Sequence, residues 1–227
     1  MGDIEYQEAL KLGKKEYSNF TDLLVALRER GIAESRIQDL ISIDYFSEYG
    51  DIKYLLNYFD VFLKFYTNKK FLSQLKKEKA FGMEIDFDVI RKHCGSETTK
   101  TFMKIDARAI IFELTKAFNE KMSFKEKLNA RYEVLGYMDI VDKKYAGYCY
   151  ATDLNVDYSP RVKLYALANG NTIPVKVSKK VFKQNPIRRG DIVKVTAQYK
   201  KPKMKKVDGE WVETDEQEWW ISEYQIC

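Results

Sequence analysis

The chain is poor in the residues that build metal and disulfide sites: one histidine, His93, and three cysteines, Cys94, Cys149 and Cys227, with no CxxC pair among them. Structural zinc and disulfide frameworks need clustered ligands, so this scatter argues against both and suits a reducing, cytoplasmic setting. His93 and Cys94 are adjacent, but consecutive side chains diverge from the backbone and make a poor ligand or nucleophile–base pair. The glycines are isolated. None falls in a GxxxxGK[ST] or GxGxxG pattern, and no nucleophile elbow occurs, so the common phosphate cradles and the α/β-hydrolase site are missing. No apolar run has the roughly 20 residues that a membrane-crossing helix needs. Met1 to Leu12 is charged throughout, unlike a secretory signal, and no membrane partner is expected.

Two acidic pairs, Asp86 with Asp88 and Asp139 with Asp142, have a spacing at which carboxylates can share a divalent cation. Asp86 and Asp88 alternate with Ile85 and Phe87, which marks a solvated face instead. No catalytic residue, metal ligand or cofactor is therefore assigned.

What the chain does contain is core-forming material and lysine. Hydrophobic residues make up 45% and aromatics 14% of 227 residues, enough for one large or two small cores. The net charge is only +5, so a surface for polyanions has to come from local clustering. Such a cluster lies at Tyr199 to Trp211, where Lys200, Lys201, Lys203, Lys205 and Lys206 surround a proline and a methionine ahead of an Asp-Gly turn. The segment reads as a basic β-hairpin. A solvated ribbon whose lysines only protect an edge is the alternative.

The hydrophobic period changes along the chain. From Thr21 to Glu29, Leu23, Leu24, Ala26 and Leu27 recur with helical spacing between Asn19, a candidate N-cap, and Gly31, a candidate stop. Ile37, Leu40 and Ile41 mark a second helix, and Ile52, Leu55, Leu56, Phe59, Phe62, Leu63 and Tyr66 a longer one. Further helices are expected at Phe71 to Leu75, Phe87 to Arg91, Ala107 to Phe118 and Phe124 to Leu135, capped at Asp106 and Ser123, while Gly82 to Thr101 stays ambiguous.

Past Gly136 the period becomes two. Val162, Leu164 and Ala166 alternate with Arg161, Lys163 and Tyr165; Ile173, Val175 and Val177 with Thr172, Pro174 and Lys176; Val193, Val195, Ala197 and Tyr199 with Lys194, Thr196, Gln198 and Lys200. Asn169-Gly170, Arg189-Gly190-Asp191 and Asp208-Gly209 mark turns. Tyr145 to Ala151 and Glu218 to Ile226 complete about five strands, with a short helix at Ser178 to Gln184 between the third and fourth. That is the order of an OB barrel, with an SH3-like barrel or a meander sheet as alternatives. The expected fold is thus α+β: an all-helical domain over residues 1–134, then an OB-like five-stranded barrel over 135–227.

In an OB barrel, single-stranded nucleic acid lies on the outer face of strands two and three and between the loops after strands one and four. Here that places Arg161, Lys163, Tyr165 and Lys176 beside the lysine hairpin, Lys200 to Lys206. Lysines would hold phosphates, and bases would stack on Tyr148, Tyr150, Tyr165 or Trp211. Trp219 and Trp220, as neighbours in a strand, should face opposite ways, one buried and one exposed.

Two segments also resemble a known family. Phe20 to Phe62, FTDLLVALRERGIAESRIQDLISIDYFSEYGDIKYLLNYFDVF, is similar to the helix-hairpin-helix region of bacterial DNA polymerase III alpha subunits, with Leu40, Ile41, Phe46 and Gly50 in register. Glu126 to Met138, EKLNARYEVLGYM, resembles the element that precedes the OB domain in those polymerases, through Glu133, Leu135, Gly136 and Tyr137. Asp44 departs from the pattern, standing where the family has its hairpin glycine, and puts a negative charge where backbone would approach phosphate. Nothing in the chain resembles the family's palm, fingers or PHP domain. The resemblance implies a C-terminal, non-catalytic fragment of a bacterial or phage-like replicative polymerase. Such a fragment would bind DNA, single-stranded in preference, with other replisome subunits as the alternative partner.

Overall fold

The computed structural model describes residues 4–13, 17–157 and 159–227. The chain divides into two compact units, Met1–Ser123 and Phe124–Cys227, so the division lies ahead of the helix at 124–135 and not behind it.

In the first unit, α2 (Phe20–Glu29), α3 (Glu34–Ser42) and α4 (Ile52–Phe65) follow the helical periods of the sequence, and α1 (Ile4–Gly13), which no expected period marked, precedes them. Asn19 caps α2 by accepting from the Asp22 N–H, and Asp51 caps α4 through the Lys53 N–H. Their apolar faces, including Leu23, Leu24, Leu27, Ile37, Leu40, Ile41, Phe59 and Phe62, are buried in one core. Burying a side chain of this size contributes about 1.5–3 kcal/mol, and this sets the helix orientations more firmly than propensity does.

Helices α2 and α3 stop in the same way. Gly31 and Asp44 both have left-handed backbone, φ +80 and +63. The Gly31 N–H donates to Arg28 O and Ile32 N–H to Leu27 O, while Asp44 N–H donates to Ile41 O and Tyr45 N–H to Leu40 O. Each pair of bonds is a Schellman stop, for which glycine is preferred because it has no Cβ to strain. Asp44 thus occupies a position whose demand for glycine comes from ending a helix.

The first unit is not all-helical, in contrast to the sequence expectation. Asn68 and Lys69, both at positive φ, reverse the chain after α4, so that β1 (Tyr66–Thr67) pairs with β2 (Lys70–Phe71). Next come β3 (Gln74–Lys76), α5 (Lys77–Gly82), α6 (Phe87–Lys92), β4 (Cys94–Glu97), β5 (Thr101–Ile105) and α7 (Ala107–Thr115), the three strands forming an antiparallel sheet in the order β3-β5-β4. Phe71 to Leu75 therefore supplies strand where helix was expected. A short apolar run has no length over which a period of 3.6 can be told from one of 2, and here the two-residue turn and the Phe102 side of β5 decide. Asp86 and Asp106 cap α6 and α7. Asp88 pairs with Arg91, so the first acidic pair is engaged in capping and an ion pair.

The second unit opens with α8 (Phe124–Leu135) and a 3₁₀ turn at Lys143–Tyr145. Strands β6 (Tyr148–Asn155), β7 (Arg161–Ala166) and β8 (Thr172–Val177) follow, then α9 (Lys179–Gln184), β9 (Ile192–Val207) and β10 (Glu210–Ile226). The five strands close into a ring in the order β10-β8-β7-β6-β9. All neighbours are antiparallel except β8 and β10, which run parallel and meet over only three residue pairs, Val175–Trp219 to Val177–Ile221. Ala151, Val162, Leu164, Val175, Val177, Val193 and Ile221 fill the ring, and Val181 and Phe182 of α9 pack against them.

One patch of the ring's outer surface is covered too. Tyr150, Tyr165 and Ile192 form a second small core with Leu128 of α8 and Met138, which explains why α8 belongs to this unit. Arg131 of α8 holds Asp139, and Asp142 caps the 3₁₀ turn and pairs with Lys144, so the second acidic pair is also engaged. Among the described residues, no helix is long and apolar enough to cross a membrane.

Candidate nucleic-acid interface

The charge of the protein is unevenly divided. Residues 1–123 hold twenty Lys/Arg against twenty Asp/Glu, and residues 124–227 hold nineteen against fourteen, so the net +5 resides in the second unit. Within it, residues 124–199 carry fourteen cations against seven carboxylates. The lysine segment with its return strand, 200–218, carries five against six and is net negative.

Strand pairing shows how the ribbon cancels its own charge. Val207 faces Glu210 across Asp208-Gly209, both at positive φ, a two-residue hairpin turn of the primed type. Opposite the lysines of β9 run Glu210, Glu213, Asp215, Glu216 and Glu218 of β10. Lys203 Nζ lies 2.8 Å from Glu216 Oε2, and that lysine holds the Glu216 carboxyl below its usual range. Lys205 sits across from Val212 and Lys206 from Trp211. Trp211 is 67% exposed at the far end of the ribbon. The lysine hairpin is therefore a zwitterionic ribbon and not a run of uncompensated positive charge.

The outer face of the ring at the foot of the ribbon differs. Cross-strand register sets Arg161 beside Lys176, Lys176 beside Trp220 and Trp220 beside Tyr199, one row across β7, β8, β10 and β9. The Tyr199 and Trp220 rings stack with centroids 6.5 Å apart and planes 13° from parallel. Lys201 Nζ lies 5.3 Å from each centroid, and Lys176 Nζ lies 5.4 Å from that of Trp220. Cations held against ring faces are attracted by the ring quadrupole. Arg161 and Lys163, two apart on β7, are exposed on the same side and carry no ion pair among the described residues. Where β8 and β10 splay apart, a cleft of about 280 Å³ opens between Arg161, Pro174, Lys176, Lys203, Glu218 and Trp219.

Of the residues expected here, Arg161, Lys163 and Lys176 share this face, and Lys201 joins it. Lys200 lies on the other side of the ribbon with its Nζ 4.7 Å from the Trp219 ring centroid, and Lys205, Lys206 and Trp211 are out along the ribbon. Tyr165 is corrected: it points outward as its alternation demands, but α8 and Met138 cover it and leave it 7% exposed. Tyr150, another expected stacking residue, lies in the same covered patch, donates to Asn129 Oδ1 at 2.8 Å, and has its phenol pushed up to about 12 by burial. Neither ring is open to a base. Trp219 and Trp220 do face opposite ways, Trp219 toward the ring interior and Trp220 toward Tyr199, but both are half-buried.

Sequence reasoning missed Tyr199 and Trp220 as the stacked pair: alternation set Tyr199 with Val193 and Val195, which pack inside the ring, but the strand irregularity around Glu223 turns Tyr199 to the outer face. The available signal was the Asp208-Gly209 turn, from which strand positions can be counted. That count sets Tyr199 opposite Glu218, but the irregularity between Glu213 and Gln217 shifts the register by two and brings Trp220 there instead. No family model matches this chain, and no curated protein or solved structure matches it either.

Proposed function

We propose that the second unit is an OB-type module that holds single-stranded nucleic acid on the outer face of β7, β8, β10 and the middle of β9. The carrying observation is the row Arg161–Lys176–Trp220–Tyr199, which combines cations with a stacked aromatic pair, and all of it but Trp220 lies in residues 124–199, where cations outnumber carboxylates two to one. Phosphates would meet Arg161, Lys163, Lys176 and Lys201, and bases would stack on the Tyr199–Trp220 platform. The OB assignment is supported by five strands in the ring order first-second-third-fifth-fourth, with a helix between the third and fourth.

The DNA polymerase III alpha resemblance fits the same reading. It makes this chain the non-catalytic, template-holding C-terminal region of a replicative polymerase, with chemistry carried by domains outside it. Anisotropy titration of a labelled oligothymidylate tests the module. Binding should weaken steeply with salt, because every neutralised phosphate releases counterions. Equal affinity at low and high salt, or none at all, would refute the proposal.

One observation favours a second reading for the ribbon. Met204 and Trp211 are exposed on one face toward its tip, and Val207 and Val212 on the other, on a segment that is net negative. Exposed apolar groups on a near-neutral finger suit a protein surface, such as another replisome subunit, better than a polyanion. A pulldown after nuclease treatment separates the readings, since a protein-docked partner stays bound.

A further inference from the structure

At the centre of the basic face the structure holds a carboxylate. Glu218 Oε1 accepts from Lys176 Nζ at 2.7 Å and from Trp220 Nε1 at 3.1 Å, and Lys201 is its cross-strand neighbour. The Lys176 and Glu218 side chains are each only 18% exposed, unlike the open Arg161 and Lys163 beside them. Salt screens such a half-buried pair weakly. A single anionic oxygen shared by an ammonium and an indole N–H has the donor set that a phosphate oxygen takes on a nucleic-acid-binding surface.

Position strengthens the parallel. Glu218 lies on β10 two residues before Trp220, so both project from the same side of the strand, and it also lines the cleft between β8 and β10. A phosphate tracking from Arg161 toward the Tyr199–Trp220 platform would have to pass Lys176, whose charge is already committed to Glu218.

We infer that Glu218 is a resident competitor for nucleic-acid phosphate, which occupies the Lys176 position and lowers the affinity of this face. The inference rests on the nucleic-acid reading of the same surface. Its consequence is selective: a ligand must bring both a phosphate to displace the carboxylate and a base to stack, so isolated polyanions gain little. Replacing the carboxylate by its amide keeps an acceptor for the indole N–H and for Lys176, and removes only the charge.

The test is anisotropy titration of the full chain with a labelled oligothymidylate at several salt concentrations. Glu218→Gln should bind several-fold more tightly than the unmodified protein, with a salt slope steeper by about 0.7, the value for one more neutralised phosphate on a single strand. Glu223→Gln, an equal charge change at an exposed site on the same strand, should have a smaller effect. Lys176→Met should lose more affinity than Arg161→Ala, because it also leaves the Glu218 carboxylate uncompensated beside the phosphates. It does so whether or not the amide variant folds. Unchanged or weaker binding by a folded Glu218→Gln, equal tightening by Glu223→Gln, or equal losses in Lys176→Met and Arg161→Ala would each overturn the inference while leaving the module reading in place. Absence of binding by both the unmodified protein and Glu218→Gln would overturn the module reading, and the inference with it.

Discussion

Lysine is concentrated in two places in the second unit, and the two differ in what stands opposite. Along the ribbon, β9 lysines face residues 210–218 of β10 with their five carboxylates, and the segment ends net negative. On the ring, Arg161 and Lys163 face solvent on a sheet whose neighbours are a proline, a lysine and stacked rings. A polyanion responds to the summed field and not to the number of lysines in a row. A basic run therefore acts only together with its cross-strand partner, because pairing can erase its charge.

The sharpest way to break the comparison is at the aromatics. Trp220→Ala should cost about 1–3 kcal/mol of single-strand binding, the usual worth of one base–aromatic stack, with Trp211→Ala at the ribbon tip near neutral. Equal losses in the two variants would put the ribbon back at the interface. Next comes charge. Arg161→Ala combined with Lys163→Ala should flatten the salt slope by about 1.4, two phosphates' worth, whereas Lys205→Ala with Lys206→Ala should change it by less than half of that. If the ribbon pair proves the stronger, the charge argument fails.

The smallest effect concerns stability and sharpens where the second unit begins. Arg131 of α8 grips Asp139 through both carboxylate oxygens, at 2.5 and 2.7 Å, and holds that carboxyl below its ordinary value. A carboxyl lowered by folding contributes stability that is complete above the usual carboxylate range and is lost as pH falls through the lowered value. Asp139→Asn should therefore lower the melting temperature of the second unit near neutral pH, by the equivalent of about 1 kcal/mol or less, and the difference should vanish in acid. Melting curves from pH 7 down to pH 2 read this directly. A difference that persists in acid would show that the ion pair is not its source.

Much of the second unit was legible because strands alternate. Val162, Leu164, Val175, Val177 and Val193 point into the ring as the period of two requires, and the turns at Gly170, Gly190 and Gly209 sit where positive φ is needed. The helix between the third and fourth strands was found within a residue. The first unit was legible only for its long amphipathic helices. Its short strands, two to five residues each, carry too few positions to show a period, and Leu75 and Phe102 are buried by partners distant in the sequence.

Solvent access was the harder question at the site. Alternation placed Tyr165 on the outer face correctly, but whether an outer face meets water depends on what packs over it, here α8 and Met138. The sequence by itself determined the side a residue takes within an unbroken stretch of strand, because successive side chains alternate there; the irregularities around Glu223 break the count, so Val193 and Val195 pack inside the ring while Tyr199, of the same parity on β9, stacks on its outer face. Only the tertiary structure decided which rings meet, since a shift of two in the β9–β10 register sets Trp220 against Tyr199 while leaving every side chain on its own face. It decided as well that Lys176 would spend its charge on Glu218, a contact across 42 residues that no local pattern encodes.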